Sequence, residues 1–144
     1  MADRFELEIV TPDRRVVKDS AEEIQIPGRN GYLGVMAGHA ALITELAVGE
    51  ITYQSNGYTE RLAVAWGFAE VLPDKVTILA ETVERAEEID VARATEARDR
   101  AAAKLKSGSP DVDYARALNA LQRAEVRLKV AGERTEKPAG RQGS

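Results

Sequence analysis

The sequence predicts an α+β chain in two parts: an N-terminal antiparallel β-sandwich followed by a C-terminal antiparallel α-helical hairpin. Three observations carry that prediction. Residues 1–90 fall into short apolar runs that alternate with polar residues and stop at Gly, Pro or Asn, as many short strands joined by tight turns do. From Val91 to Lys106 strong helix formers dominate, with no Gly or Pro. The charge also changes sign at Asp90. Residues 1–90 hold eight Lys and Arg against seventeen Asp and Glu, a net of −9, whereas residues 91–144 hold twelve against seven, a net of +5. Such a break marks an acidic body carrying a basic appendage.

Phe5-Glu6-Leu7-Glu8-Ile9 alternates with period two, and Thr11-Pro12-Asp13 ends it, because proline has no donor for the ladder and favours a turn. Glu23-Ile24-Gln25-Ile26 alternates again and is expected to stop at Pro27-Gly28. Gly28-Arg29-Asn30-Gly31-Tyr32-Leu33-Gly34 reads as a tight loop needing positive φ at several glycines. It lacks the Gly-Lys-Ser/Thr ending of a phosphate loop and the Gly-x-Gly-x-x-Gly of a dinucleotide fold. Ile51-Thr52-Tyr53 and Tyr58-Thr59 flank Ser55-Asn56-Gly57, a hairpin signal because Asn and Gly both tolerate positive φ. Phe68–Leu72 and Val76–Leu79 flank Pro73-Asp74-Lys75, a second hairpin.

Asp90 is placed to cap the first helix, with Ile89 before it as a staple residue. Ser107-Gly108-Ser109-Pro110 ends that helix, and Asp111 or Asp113 caps a second one running to about Ala131, with Gly132 at the C′ position. A break of four residues implies an antiparallel pair. The chain thus divides into a sandwich at 1–88, a hairpin at 89–132 and a polar tail at 133–144 that is expected to be disordered.

Composition removes several classes of function. With no cysteine there are no disulfides, thiol nucleophiles or thiolate metal sites. His39 is the single histidine and reads as structural, so no metal site is expected. Neither Gly-x-Ser-x-Gly nor His-Glu-x-x-His occurs, and an enzyme acting alone is not expected. A net charge of −4, a pI near 5.2 and the lack of an aromatic platform beside the arginines argue against nucleic acid. No apolar run approaches the roughly 20 residues of a membrane span, and Met1-Ala2-Asp3-Arg4-Phe5 is not of signal-peptide type. The expectation is a soluble, cytoplasmic chain that meets a membrane only through another protein.

The arginines of the basic segment fall on faces. Asp90, Arg93 and Arg100 share one side of the first helix, and Arg116, Arg123 and Arg127 share one side of the second. Three readings stay open from spacing. The stripes grip a phosphate-bearing ligand with their guanidinium forks; they solvate the helices and pair with Glu96, Asp99 and Glu125; or they lie along an acidic protein surface.

The order of motifs then becomes recognisable. Val10-Thr11-Pro12-Asp13-Arg14, Pro27 to Gly34, Gly38-His39-Ala40-Ala41-Leu42, Gly67-Phe68-Ala69-Glu70-Val71, Leu79-Ala80-Glu81 and Ala86-Glu87-Glu88-Ile89-Asp90 together resemble the epsilon subunit of the F-type ATP synthase, over residues 5–131. Two departures are visible: Ala41 stands where proline usually follows His-Ala, and Trp66-Gly67 replaces a Gly-Gly pair.

The resemblance implies a non-catalytic subunit of the proton-translocating complex, held at the cytoplasmic face of the bacterial inner membrane through that complex. It implies docking of the sandwich on the gamma subunit and the c-subunit ring, with Gly31, Tyr32, Leu33 and His39 as partner-binding residues. It further implies a mobile hairpin that inhibits ATP hydrolysis when extended toward the alpha and beta subunits, presenting Arg116, Arg123, Arg127 and Lys129. Ile89-Asp90-Val91-Ala92-Arg93-Ala94 matches the family's Ile/Leu-Asp-x-x-Arg-Ala motif. By that match ATP is a possible regulatory ligand held by Glu84, Ile89, Asp90, Arg93, Ala94, Arg100, Arg123 and Arg127, with no cofactor required. The alternative is a purely structural coupling subunit whose hairpin ignores nucleotide.

Overall fold

The structure, a computed structural model, describes residues 3–133. The expected tail lies outside the described residues, apart from Glu133. Eight strands come first: β1 (Phe5–Val10), β2 (Arg15–Ala21), β3 (Glu23–Gly28), β4 (Gly31–Met36), β5 (Leu42–Leu46), β6 (Gly49–Ser55), β7 (Tyr58–Val71) and β8 (Lys75–Arg85). A single 3-10 turn at Ala86–Glu88 leads to α1 (Val91–Ser107) and α2 (Tyr114–Gly132). The β-sandwich and the helical hairpin follow each other as the sequence predicts.

Both expected hairpins form. Asn56 (φ 53) and Gly57 (φ 83) turn β6 into β7, with both central residues in the left-handed region that such a two-residue turn needs. Pro73-Asp74 turns β7 into β8, and Val71 pairs with Val76. All pairings are antiparallel except one: β1 runs parallel to β8, from Glu6↔Lys75 to Val10↔Leu79. Leu7, Ile9, Ile24, Ile26, Ile51, Leu62, Val64 and Ile78 alternate along their strands into one fully buried core. Every residue of that core belongs to the sandwich.

One backbone position decides the architecture. The first half of β7 pairs with β6 as far as Val64, and the second half pairs with β5 from Gly67 onward. Between them Trp66 and Gly67 take φ of 56° and 145°. A Cβ at Gly67 would lie 2.0 Å from the Leu79 carbonyl oxygen. Only glycine reaches that conformation and that approach together, so the kink lets β7 pass from one layer to the other. Trp66, where the family pattern has a second glycine, holds the left-handed conformation despite its side chain.

Three details differ from expectation. The glycine-rich stretch is not a loop: Gly28 pairs with Gly31 around a two-residue turn at Arg29-Asn30, and only Gly31 has positive φ. Pairing Ile24 with Val35 and Ile26 with Leu33 puts apolar side chains onto the core, which outweighs glycine's looseness. Gly132 is the last helical residue rather than a left-handed C′, and α2 closes with Glu133 N–H donating to the Val130 carbonyl at 3.1 Å. The left-handed cap belongs to α1, at Gly108 (φ 66).

Candidate functional site

The two helices start where short acidic side chains satisfy their free N–H groups. The Asp90 carboxylate accepts from Arg93 N–H at 3.1 Å, and that of Asp113 accepts from Arg116 N–H at 3.1 Å. The buried residues facing inward between α1, α2 and the sheet are mostly alanine, among them Ala94, Ala101, Ala117 and Ala124. This hairpin therefore has little core of its own, and its hold on the sandwich decides its position.

That hold is concentrated at the C-terminal end of α2. Val130, with Val126 and Ala131 against it, packs on Ala63 of β7 and on Ala86 and Ile89. Arg127 donates Nε and Nη2 to the two oxygens of Glu84 on β8, at 2.6 and 3.1 Å. Arg61 of β7 reaches Glu133 at 3.1 Å, and Lys129 lies 3.7 Å from Glu50 of β6. Beside the hairpin's start, Arg85 N–H and then the Arg14 guanidinium hold the Glu88 carboxyl below its usual range.

Beyond that anchor the hairpin and sheet leave a cleft of about 840 Å³. Its apolar walls are small on both sides: Ala63, Ala65 and Thr82 of the sheet face Ala97, Ala101, Ala117, Ala120 and Ala124 of the helices. Alanine against alanine cannot fill the space between a sheet and a helix pair, so the gap stays open. Arg14, Arg100, Lys104, Arg116, Arg123 and Arg127 line it. Arg14 pairs with Glu88 and Arg127 with Glu84. Among the described residues Arg100, Arg116 and Arg123 make no ion pair, and neither does the pairing with Glu96, Asp99 or Glu125 occur; Asp99 pairs instead with Arg98. The volume is that of an ordinary small-molecule site, about 300–1,000 Å³. Guanidinium forks without a carboxylate partner suit a phosphate-bearing ligand.

The structure thus divides the expected nucleotide residues. Glu84, Arg100, Arg123 and Arg127 line the cleft, whereas Ile89, Asp90, Arg93 and Ala94 do not. Ile89 is part of the apolar anchor, Asp90 is the cap, Ala94 is buried and Arg93 is exposed. Of the expected partner residues, Arg116 also lines the cleft and Lys129 faces Glu50. Gly31 opens β4, Leu33 packs on the sandwich core, and the half-exposed Tyr32 hydroxyl accepts from Glu50 N–H at 2.9 Å. His39 follows β4, with Nδ1 2.7 Å from the Ala40 carbonyl.

A second surface was missed from sequence. Phe68 and Leu79 are register neighbours on the outer face of β7 and β8, 52% and 54% exposed, and with Trp66, Val10 and Pro12 they line a groove of about 570 Å³. Ile43 on β5 is exposed as well. The signal was present: Ala69 and Val71 point into the core, so Phe68 shares the outward face of Glu70.

Two family models match in tandem: the ATP synthase Delta/Epsilon chain beta-sandwich domain over residues 4–86, and the Delta/Epsilon chain long alpha-helix domain over residues 87–132. The ATP synthase epsilon chain of Koribacter versatilis is 70% identical over 139 residues, 96% of this chain and 98% of that one. The epsilon chain of Geotalea uraniireducens is 45% identical over 111 residues, 77% and 80% of the two chains. Among solved structures, a chain of the Euglena gracilis mitochondrial ATP synthase, from an OSCP/F1/c-ring assembly, superposes with a TM-score of 0.78 at 26% identity, covering 91% of this chain and 82% of that one.

Proposed function

The chain belongs to the ATP synthase Delta/Epsilon family, and on that footing we propose that it is a central-stalk subunit with a nucleotide-responsive helical hairpin. The observation that carries the proposal is the cleft. It is walled by the sandwich on one side and the hairpin on the other, and three of its arginines have no carboxylate partner among the described residues. A triphosphate held by Arg100, Arg123 and Arg127, with Glu84 beside it, would tie the helices to the sheet and hold the hairpin down. Without it the hairpin opens and carries Arg116, Arg123, Arg127 and Lys129 to an acidic surface of the catalytic head, where it blocks hydrolysis. Each arginine serves one partner at a time, so the two states exclude each other.

Docking to the stalk falls to the sandwich. The Phe68–Leu79 groove supplies an exposed apolar face of the kind that marks a protein interface, and a gamma-type subunit is its proposed partner. The β3–β4 hairpin and the His39 loop are assigned to the c-ring side. Among the described residues no helix is long and apolar enough to cross a membrane. On the proposed reading the subunit meets the membrane through the ring, on its cytoplasmic side, and transmits rotation without catalysing a reaction. Phe68→Glu tests the docking. Losing one buried aromatic contact of about 1.5–3 kcal/mol should weaken capture of the gamma subunit by about ten-fold or more. Undiminished co-purification counts against it.

A second reading has its own support. Arg127 already holds both Glu84 oxygens, and the end of α2 is pinned by further ion pairs. On that reading the hairpin is a fixed structural element and nucleotide does not move it.

A further inference from the structure

Glu50 is buried beneath the C-terminal end of α2, 8% exposed. Four residues face it, from β7, α2 and its cap, and β4. Arg61 on β7 places Nη1 3.7 Å from Oε2, and Lys129 on α2 places Nζ 3.7 Å from Oε1. Glu133, at the cap of α2, holds Oε2 3.1 Å from the same Arg61 nitrogen. From β4, the Tyr32 hydroxyl engages only the Glu50 backbone N–H. Both cations stand beyond hydrogen-bond distance of Glu50, and its Oε2 accepts no hydrogen bond among the described residues.

A buried carboxylate with an unsatisfied oxygen, beside a second carboxylate, is poorly suited to carry charge. We propose that this placement of Glu50 and Glu133 around one Arg61 nitrogen makes docking of the hairpin proton-dependent: the docked state takes up a proton and tightens as pH falls. A carboxyl pair sharing one proton forms a hydrogen bond that two ionised carboxylates cannot. Burial first, then the Glu133 charge, pushes the Glu50 carboxyl up from its ordinary 4.5, against the lowering effect of Lys129 and Arg61. When α2 lifts, Glu133 and Lys129 leave together, and Glu50 stays in water beside Arg61 with its affinity for the proton reduced.

The sign follows from linkage. Because the carboxyl is raised in the docked state, its contribution to docking is complete below the ordinary carboxylate range and is lost as pH rises through the raised value. An interface held by ion pairs alone would behave in the opposite way, loosening in acid. The device needs no nucleotide, so it stands or falls apart from the ATP site.

The chain has no cysteine and one tryptophan, Trp66, which lies on the sandwich. Ser109→Cys in the loop joining α1 to α2, labelled with an acceptor for tryptophan fluorescence, makes energy transfer a measure of docking in the full chain. Transfer should fall as pH rises above the ordinary carboxylate range. Glu50→Gln keeps the shape and removes the ionisation; it should hold high transfer and lose the slope. Glu133→Gln should keep a slope but move its midpoint to lower pH. It also carries the test at a more exposed position if Glu50→Gln fails to fold. The proposal is overturned by an unchanged slope in Glu50→Gln, by transfer that rises with pH, or by a parent chain with no pH dependence.

Discussion

Gly67→Ala unfolds the sandwich or comes close to it. A methyl group there meets the Leu79 carbonyl oxygen at 2.0 Å and Ala80 Cα at 2.7 Å. Both are backbone atoms of the paired strand, so neither can swing aside as a side chain would. The φ of 145° is itself outside the range of an L side chain, a strain of about 1–3 kcal/mol, and forced overpacking adds about 1–3 kcal/mol. Against a typical total stability of about 5–15 kcal/mol, a loss of about 4 kcal/mol or more removes most of the folded population. Urea unfolding of the full chain measures it. Gly34→Ala is the control: its Cβ meets nothing within 4 Å and its φ is not positive, so a change within about 0.5 kcal/mol is expected. A Gly67→Ala midpoint indistinguishable from that of Gly34→Ala contradicts the role given to the kink.

Truncation after Ile89 raises ATP hydrolysis by the assembled complex several-fold while leaving the subunit bound. The two halves of that expectation rest on different observations. Binding persists because no helical residue contributes to the sandwich core, and the Phe68–Leu79 groove is untouched by the cut. The apolar surface uncovered is small: the Ala63–Ala86–Ile89 patch under Val130, Val126 and Ala131, and the alanine-lined sheet wall of the cleft. Hydrolysis rises because the cationic stripe of Arg116, Arg123 and Arg127 is gone with the hairpin. A bound, truncated subunit that leaves the rate unchanged argues for a hairpin with no inhibitory role.

Legibility from sequence varied with the physics at each place. Period-two alternation exposed β1 and β3, because one face of each strand is buried. Asn56-Gly57 and Pro73-Asp74 named their turns, since those conformations restrict the residue type. β4 was hidden by Gly31 and Gly34, whose strand conformation is imposed by pairing with β3 and not by their own preference. β2, with Lys18-Asp19-Ser20 in its middle, has too weak an apolar signal to stand out. At the candidate site, helical spacing brought Arg100, Arg123 and Arg127 to one cleft. The same spacing could not show that Lys129 and Glu133 close over Glu50. Those contacts depend on how the hairpin folds back, which no local pattern encodes.

The nucleotide-responsive hairpin is the central claim, and titration of ATP into the full chain by calorimetry tests it most directly. Moving a hairpin from 1:99 to 99:1 needs about 5.5 kcal/mol of differential binding, so a weak site biases the switch and a tight one throws it. Arg123→Ala is the cleaner variant, because Arg127→Ala also strands Glu84 without its partner. The parent chain should give a saturable heat at or below millimolar ATP, strongly reduced in Arg123→Ala. No heat at millimolar ATP, or the same heat in Arg123→Ala, contradicts the claim.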